Sequence, residues 1–327
     1  MSSIEVRPFR RSDLDQVTQL VNIHAAAVIP GLSAPGSTVL ARIDGQHGQH
    51  SAEPAAGARV ALVAEQQNRV AAAALLLRHI PRDEAGAVAG AAGEICWFLF
   101  RPQAPAGNPY WLDATEAADA LMSACLAQLG RWGPARQQAG GDLLPVRGVC
   151  GVPEQWPHVR TIYERAGFAH TGHTDIVSMA RVEDLPRPAG PPIARLVVRR
   201  SLGPHGTRLA AMLGEDLIGS ADIRILGETG AGISREEEQV PWSRWADMGS
   251  LQVASQYRRQ GIATWLLGEA AGWLRLAQID RLLGGSWLEG RDSAGQACAD
   301  GRPFLTAAGF LELTRTMRGW DREPQET

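Results

Sequence analysis

The chain has 327 residues, a formal net charge of −3 at pH 7, and apolar and charged fractions, 45% and 20%, that are ordinary for globular proteins. At about 150 residues a domain this length predicts two domains, and the near-neutral charge argues against a nucleic-acid or membrane-surface partner. The four cysteines are widely separated and form no Cys-x-x-Cys pair, which argues against a disulfide framework and a zinc site. No apolar run reaches the ~18 residues of a membrane span, and residues 1–6 lack a signal-peptide core, so we expect a cytoplasmic protein.

The first half of the chain mixes strand and helix patterns. Residues 4–8 are predicted to form a strand, and Ser12 and Asp13 precede a helical apolar period that begins at Leu14. Residues 33–57, rich in Gly, Ala, His and Gln, are expected to form a surface loop. Alternation and turn residues then predict a hairpin of 60–65 and 70–79, strands over 94–100, 146–152 and 174–180, and helices over 114–132 and 159–166.

The second half begins with strands instead of helices. A three-stranded meander is predicted over 196–201, 207–214 and 217–226, and a polar loop that contains Glu236, Glu237 and Glu238 follows it. The remaining pattern predicts a strand over 248–254, a helix over 262–277, a strand over 281–287, a helix that ends at Gly309, and a last strand over 312–319.

A short sequence motif that occurs twice divides the chain into two parts. Residues 163–168 (YERAGF) and 305–310 (LTAAGF) each place Ala-Gly-Phe after a helical run, about one domain length apart. Between them, the prolines of residues 184–193 exclude a continuing helix or a central strand. We therefore predict a first domain over 1–183, a linker over 184–193 and a second domain over 194–327.

The junction between the predicted strand 248–254 and the helix 262–277 carries the strongest functional pattern. Gly261 lets the backbone turn tightly, and the unpaired N–H groups of the first helical turn, aided by the helix dipole, favour an anion. Arg258 and Arg259 add positive charge. The strand, the Arg-x-x-Gly-x-Ala sequence and the helix resemble motif A of the GNAT family, the Gcn5-related N-acetyltransferases, which binds the pyrophosphate of acetyl-coenzyme A (acetyl-CoA).

This resemblance implies a fold and a set of ligand-binding residues. The fold is α/β, with two tandem GNAT-like domains that each have a mixed central sheet flanked by helices. The first domain is expected to be a degenerate copy, because prolines after Phe100 remove the N–H groups that a pyrophosphate needs. Acetyl-CoA is expected as co-substrate, without a metal, and its binding residues are Leu251, Gln252, Val253, Arg258, Arg259, Gln260, Gly261, Ile262, Ala263 and Thr264.

The resemblance also implies how acyl transfer would proceed. The backbone amide of Leu251 would polarise the thioester carbonyl, and the general base is expected to be Asp247 or one of the three loop glutamates, with Glu237 at their centre. Many family members place a tyrosine four residues before the glycine of Gly-Phe. Tyr163 has this place in the first half, but Leu305 has it in the second, which leaves the role of acid to Cys298, Ser293 or solvent.

Three functions remain open at this point. The first is an N-acetyltransferase that acts on a primary amine, of a small molecule or, as an alternative, of a peptide N-terminus. The second is a non-catalytic acyl-CoA-binding sensor, and the third is an interaction domain in which residues 258–263 form an empty turn. The resemblance favours the first function, in a monomer or homodimer without nucleic-acid or membrane partners.

Overall fold

The computed structural model describes residues 4–45, 56–79, 92–102, 113–133, 136–141, 151–187, 190–203, 206–226, 244–287 and 301–323. The chain forms two compact units, which we call unit 1 and unit 2. Unit 1 comprises Met1–Asp175 together with Arg315–Thr327, and unit 2 comprises Ile176–Thr314. Both units have a mixed sheet with helices, which confirms the predicted fold class. The predicted linker at 184–193 falls within the span of unit 2, and its role as a domain boundary stays a prediction.

Unit 1 begins with the strand and helix that the sequence predicted. Its elements are β1 (Ile4–Pro8), α1 (Leu14–Val28), α2 (Gly36–Asp44), β2 (Ala56–Gln66), β3 (Arg69–His79), β4 (Ala92–Phe100), α3 (Thr115–Trp132), β5 (Arg136–Ala139), β6 (Val152–Pro153), α4 (Pro157–Arg165) and the first part of β7 (Ala169–Arg181). Strands β1 to β4 pair antiparallel in order, and β4 pairs with β5 in parallel. The β2–β3 turn has positive φ at Gln67 and Asn68, as expected of a tight two-residue hairpin.

Two elements of unit 1 differ from the prediction. The expected loop over 33–57 contains helix α2, whose Val39 and Ile43 lie four residues apart and are both buried, and Gly45 ends it in the left-handed conformation. Its small, polar composition hid this short apolar stripe. Strand β5 was missed because its sequence, RQQA, is polar, and its partner strands supply the pairing that its composition does not indicate. Of the predicted strand 146–152, residues 146–150 lie outside the described residues.

Unit 2 follows the predicted order closely. Its elements are the end of β7, β8 (Leu196–Gly203), β9 (Gly206–Leu213), β10 (Asp216–Ile225), β11 (Trp245–Val253), α5 (Ile262–Leu276), β12 (Arg281–Trp287), α6 (Arg302–Ala307) and the start of β13 (Leu311–Arg322). Strands β8 to β11 form an antiparallel meander, and β12 pairs in parallel with β11. A buried apolar cluster joins one face of this sheet to α5 and α6, with Met248, Leu266 and Leu305 among its members.

The last strand of the chain contributes to both units. Residues 311–314 belong to unit 2, whereas Thr316 pairs with Pro153 of β6 and Trp320 with Ala139 of β5, both in unit 1. Trp320 is almost fully buried there. The end of the chain therefore completes the sheet of unit 1, a pairing for which the sequence gives no indication.

Candidate functional site

Strands β11 and β12 pair over a short distance and then part. Their parallel register runs from Trp245 opposite Arg281 to Met248 opposite Gly284 and goes no further. At the same point a β-bulge leaves Gly249 unpaired in the ladder between β10 and β11. Beyond it, β11 continues to Val253 along β10 alone, in the part of the chain that the structure describes. The strand therefore turns an edge of backbone groups toward the opening between β11 and β12.

The hydrogen-bond pattern shows which backbone groups line this opening. The N–H of Ala254 bonds to the carbonyl of Ile218 at 2.9 Å, and N–H and C=O groups alternate sides along an antiparallel strand. Gln252 therefore points its backbone groups at β10, and Leu251 and Val253 point theirs to the other side. The Val253 carbonyl agrees with this, since it accepts a hydrogen bond from Arg258 Nε at 3.2 Å. The predicted Leu251 amide thus lies on the open edge of β11.

The turn between β11 and α5 has the backbone that the pattern predicted. Gly261 has φ +82° and precedes the first residue of α5, and Arg259 also has positive φ, +61°. A Cβ at Gly261 would have one near neighbour, Pro192 Cβ at 3.5 Å, but a side chain there would be strained by the φ value. Within the described residues, Trp265 is the first residue of α5 with a paired N–H, which bonds to the Gly261 carbonyl at 2.9 Å. The amides before it, over residues 259–264, are available to an anion.

Some side chains of this turn hold it in place, and the others are exposed to solvent. Ile262 is buried and fixes the start of α5 in the apolar cluster, and Ala263 is half-buried. Gln260 Nε2 donates to the Gln256 carbonyl at 3.2 Å, which braces the turn from within. The other predicted side chains face solvent: Gln252, Arg258, Arg259 and Thr264. The turn is therefore an exposed set of backbone donors with two arginines beside it.

Of the candidate bases, Asp247 lies among the described residues and the loop glutamates do not. Asp247 lies on β11 opposite Leu283 of β12 and accepts a hydrogen bond from Arg224 Nη2 at 2.9 Å, with its side chain mostly buried. Glu237 and its two neighbours lie outside the described residues. Asp247 is thus paired with Arg224 close to the point where β11 and β12 part.

A second carboxylate, which the sequence did not single out, lies on the neighbouring strand. Asp222 of β10 is 1% exposed and accepts hydrogen bonds from Arg208 Nε and Nη2 at 2.8 and 2.9 Å. Its Oδ2 also accepts the hydroxyl of Ser250 at 3.0 Å. The strand pattern of β10 gave no reason to expect a buried charge, because the residues that neutralise it come from β9 and β11.

The tyrosine position expected for an acid is occupied differently in each unit. Leu305 of α6 is buried in the apolar cluster of unit 2 and brings no proton donor. In unit 1, Tyr163 is fully buried, its hydroxyl donates to the Gly140 carbonyl at 2.8 Å, and burial raises its pKa well above the usual range. Cys298 and Ser293 lie outside the described residues.

Other features do not compete with the β11–α5 turn. A cavity of about 1150 Å³ lies at the opposite, C-terminal end of α5, where Arg244 pairs with Asp280 and Arg275 donates to the Val182 carbonyl. Its cations are thus already committed to protein groups. Among the described residues there is no group of three or more His, Cys, Asp or Glu placed to hold a metal, and no described helix is long and apolar enough to cross a membrane.

Comparison with known proteins follows the same division of the chain. The sequence model of the acetyltransferase (GNAT) family matches residues 176–285, which contain β11, the turn and α5. No curated protein matches the chain. Among solved structures, a tandem GNAT protein from the clavulanic acid biosynthesis pathway has 14% identity and a TM-score of 0.62, with 99% of this chain and 100% of that chain covered.

Two further solved structures have the same fold. A GCN5-related N-acetyltransferase from Sphaerobacter thermophilus has 13% identity and a TM-score of 0.60, and covers 98% of this chain and 96% of its own. A GCN5-related glucosamine N-acetyltransferase region of a fungal multi-domain β-N-acetylglucosaminidase has 14% identity and a TM-score of 0.62. The match covers 98% of this chain but 38% of the fungal chain.

Proposed function

We propose that this chain, which belongs to the GNAT family in its tandem form, transfers an acetyl group from acetyl-CoA to a primary amine of a small molecule. The observation that carries the proposal is the β11–α5 turn. A left-handed Gly261 and a first helical turn of unpaired amides lie beside the opening between two parting strands. Family membership supports acyl transfer in general, and the acetyl donor and the amine acceptor are our proposal.

Residues of unit 2 would hold the two parts of acetyl-CoA. The amides of 259–264 would bind the pyrophosphate, with Arg258 and Arg259 adding charge at the rim. The outward backbone groups of Leu251 and the N–H of Val253 would pair with the amides of the pantetheine arm, as an added strand would. Since these contacts come from the main chain, the side chains of Leu251, Gln252 and Val253 are free to serve packing and solvation.

The chemistry needs a polarised thioester and a base. The Leu251 N–H would donate to the thioester oxygen as negative charge develops, a contribution of about 3–4 kcal/mol in comparable sites. Asp247 would accept the proton of the attacking amine, with Glu237 as the alternative base. Arg224 donates to Asp247 at 2.9 Å, so this carboxylate would have to accept the amine proton while it is shared with the guanidinium. Coenzyme A would leave as the thiolate, which solvent protonates, because Leu305 cannot.

A second function, a non-catalytic acyl-CoA sensor, is favoured by specific observations. Leu305 occupies the place of the expected acid, and the carboxylate of Asp247 is engaged by Arg224. A sensor would bind acetyl-CoA through the same turn but would release no thiol in the presence of amines.

One experiment separates these functions. Titration calorimetry with acetyl-CoA tests binding, and thiol release with glucosamine, benzylamine and a dialanine peptide tests transfer. We expect binding together with amine-dependent thiol release. Binding without release from any amine would support the sensor, and absence of binding would contradict both functions. Gel filtration of the same samples would test whether the chain is a monomer or a homodimer.

A further inference from the structure

Three polar side chains form a row across the sheet of unit 2. Arg208 on β9 and Ser250 on β11 are both register partners of Asp222 on β10, so the three side chains project from the same face. Their contacts are direct: both oxygens of Asp222 accept from the guanidinium, and Oδ2 also accepts from the hydroxyl. The row is a hydrogen-bonded chain that ends at Ser250.

The row lies on the face of the sheet away from α5. A Cβ at Gly219 would contact Ile262 and Leu266 of α5, so position 219 faces the helix. Val253 pairs with Gly219 and Leu251 with Ala221, and both side chains pack against the apolar cluster. Ser250, which precedes Leu251, therefore faces the other way, as do Asp222 and Arg208. This face is not occupied by the helix that the phosphate-binding turn begins.

The burial of Asp222 fixes the direction of its hydrogen bond with Ser250. Asp222 is 1% exposed, and the backbone of Gly203 covers it so closely that a Cβ there would lie 2.6 Å from Oδ1. Ser250 is partly exposed. Because a hydroxyl has one proton and this one is donated to Asp222, the Ser250 oxygen presents lone pairs, and no proton, to whatever approaches. The buried ion pair thus fixes Ser250 as a hydrogen-bond acceptor.

Ser250 lies next to the proposed reaction centre, where an acceptor could bind an N–H group of the attacking amine. Its neighbour Leu251 carries the outward N–H that we assign to the thioester oxygen, so an acceptor and a donor are adjacent on one strand. An amine that attacks the carbonyl carbon directs its lone pair at that carbon and needs partners for its N–H groups. A primary amine has two N–H groups, one for a hydroxyl acceptor and one for the base.

We propose that Ser250 Oγ accepts a hydrogen bond from the attacking primary amine, and that Asp222 is a positioning residue that orients this hydroxyl. The inference rests on the proposed function and deepens it by stating which amines the site selects. In the reaction, the amine nitrogen forms a bond to the carbonyl carbon and the C–S bond breaks, with its electron pair leaving on sulfur. The amine proton not held by Ser250 passes to the carboxylate base. A secondary amine has one N–H and cannot satisfy both groups.

The test compares three variants in amine-dependent thiol release from acetyl-CoA, with benzylamine and N-methylbenzylamine as probes. Ser250→Ala removes the acceptor and should lower kcat/KM for benzylamine about tenfold to a hundredfold, the loss expected for one hydrogen bond to the reacting amine. The preference for the primary over the secondary amine should fall with it. Ser250→Thr, the matched control, keeps the hydroxyl and should retain most of the activity and the preference.

The role of Asp222 is tested in combination. Asp222→Asn should lower kcat/KM for benzylamine, and the same change in the Ser250→Ala background should have no further effect, because Asp222 acts through the missing hydroxyl. Additive losses would mean a structural role and would overturn the assignment of Asp222. If Asp222→Asn does not fold, Arg208→Gln, which leaves Ser250 and Asp222 in place, serves in the same cycle.

Binding measurements keep this inference apart from the proposed function. The Kd for acetyl-CoA should change less than twofold in Ser250→Ala, since no cofactor contact is assigned to its side chain. Unchanged kcat/KM and unchanged amine preference in Ser250→Ala would overturn the inference while the proposed function stands. A wild-type protein that binds acetyl-CoA but transfers to neither amine would overturn the inference as well, and one that does not bind acetyl-CoA would overturn both.

Discussion

Each unit contains a parallel pair of strands that parts after a few residues, and the two partings are filled in different ways. In unit 1, β4 and β5 pair from Ala92 opposite Arg136 to Ile95 opposite Ala139. Tyr163 reaches the point where they part, donates to the Gly140 carbonyl, and packs edge-to-face against Phe98 of β4, with 6.3 Å between the ring centroids. In unit 2, the described residues place no side chain hydroxyl from α6 in the corresponding position, which belongs to Leu305.

This difference shows how one strand arrangement serves two purposes. The parting of two parallel strands leaves backbone groups without ladder partners, and these groups need another partner. Unit 1 supplies that partner from its own chain, through a buried tyrosine. Unit 2 directs the groups of Leu251 and the N–H of Val253 to an open edge, beside a turn with unpaired amides, while Arg258 donates to the Val253 carbonyl. Tyr163 thus supplies a donor to one carbonyl at the parting in unit 1, and the buried Leu305 supplies none in unit 2.

The largest effect is expected from Gly261→Asp, which attacks the ligand-binding capacity of unit 2. Aspartate strains the backbone at φ +82° and places a negative charge beside the proposed pyrophosphate site. We expect the Kd for acetyl-CoA to rise more than about a hundredfold, measured by calorimetry. Gly272→Asp is the matched control, because Gly272 is exposed on the same helix with no neighbour within 4 Å of its Cβ position. Equal effects of the two changes would refute the cofactor assignment.

The next effect concerns the base in unit 2. Asp247→Asn removes the proton acceptor but keeps the shape, and should lower kcat for amine-dependent thiol release about a hundredfold or more, with the Kd for acetyl-CoA unchanged. Glu237→Gln is its counterpart. If the glutamate variant loses activity and Asp247→Asn does not, the base belongs to the loop, and the pair of Asp247 with Arg224 is a structural contact of β11.

A smaller effect tests the closure of unit 1. Tyr163→Phe leaves the buried Gly140 carbonyl without its donor and should lower the free energy of unfolding by about 1–3 kcal/mol, measured in urea. Thiol release should stay at the wild-type rate, because Tyr163 belongs to the parting that is closed. A stable Tyr163→Phe protein that loses activity would instead make this tyrosine a participant in catalysis.

The smallest effect is a pH dependence between pH 7 and 6 that should arise in unit 1. His24 is buried and bonds to His158 at 2.9 Å, and burial lowers the pKa of His24 to about 3 and that of His158 to about 4. The unfolded chain, with pKa values near 6.5, therefore binds more protons below pH 6.5, so stability falls as pH falls from 6.5 toward 4. Between pH 7 and 6 the loss should be about 1 kcal/mol for the two rings.

Thermal unfolding across this pH window checks the prediction. His158→Gln should flatten the pH dependence of Tm relative to the wild type. His24 and His158 both belong to unit 1, so a ligand-binding signal from unit 2 should not follow the same curve. An unchanged slope in His158→Gln would show that other groups cause it.

Elements that depend on residues close together in the chain were predicted more accurately than elements that depend on distant partners. Strand β12 and the start of α5 lie where they were predicted, because apolar periodicity and a glycine at positive φ are local requirements. Helix α2 and strand β5 were predicted wrongly or missed, since their apolar signal is short and their partners are distant in sequence. The turn at Gly261 was predicted from its own residues, but the hydrogen bonds of Asp222 with Arg208 and Ser250 join three strands and cannot be predicted from any one of them.

The sequence by itself determined the order of elements, the strand-to-helix turn at Gly261 and the family to which it points, because all of these depend on residues close together in the chain. Tertiary structure alone decided which strand edges are closed, which carboxylates are paired, and that the residues after Arg315 complete unit 1. These depend on which side chains meet across strands, and a hydrogen bond between distant residues exists only once the backbone has brought its donor and acceptor within about 3 Å.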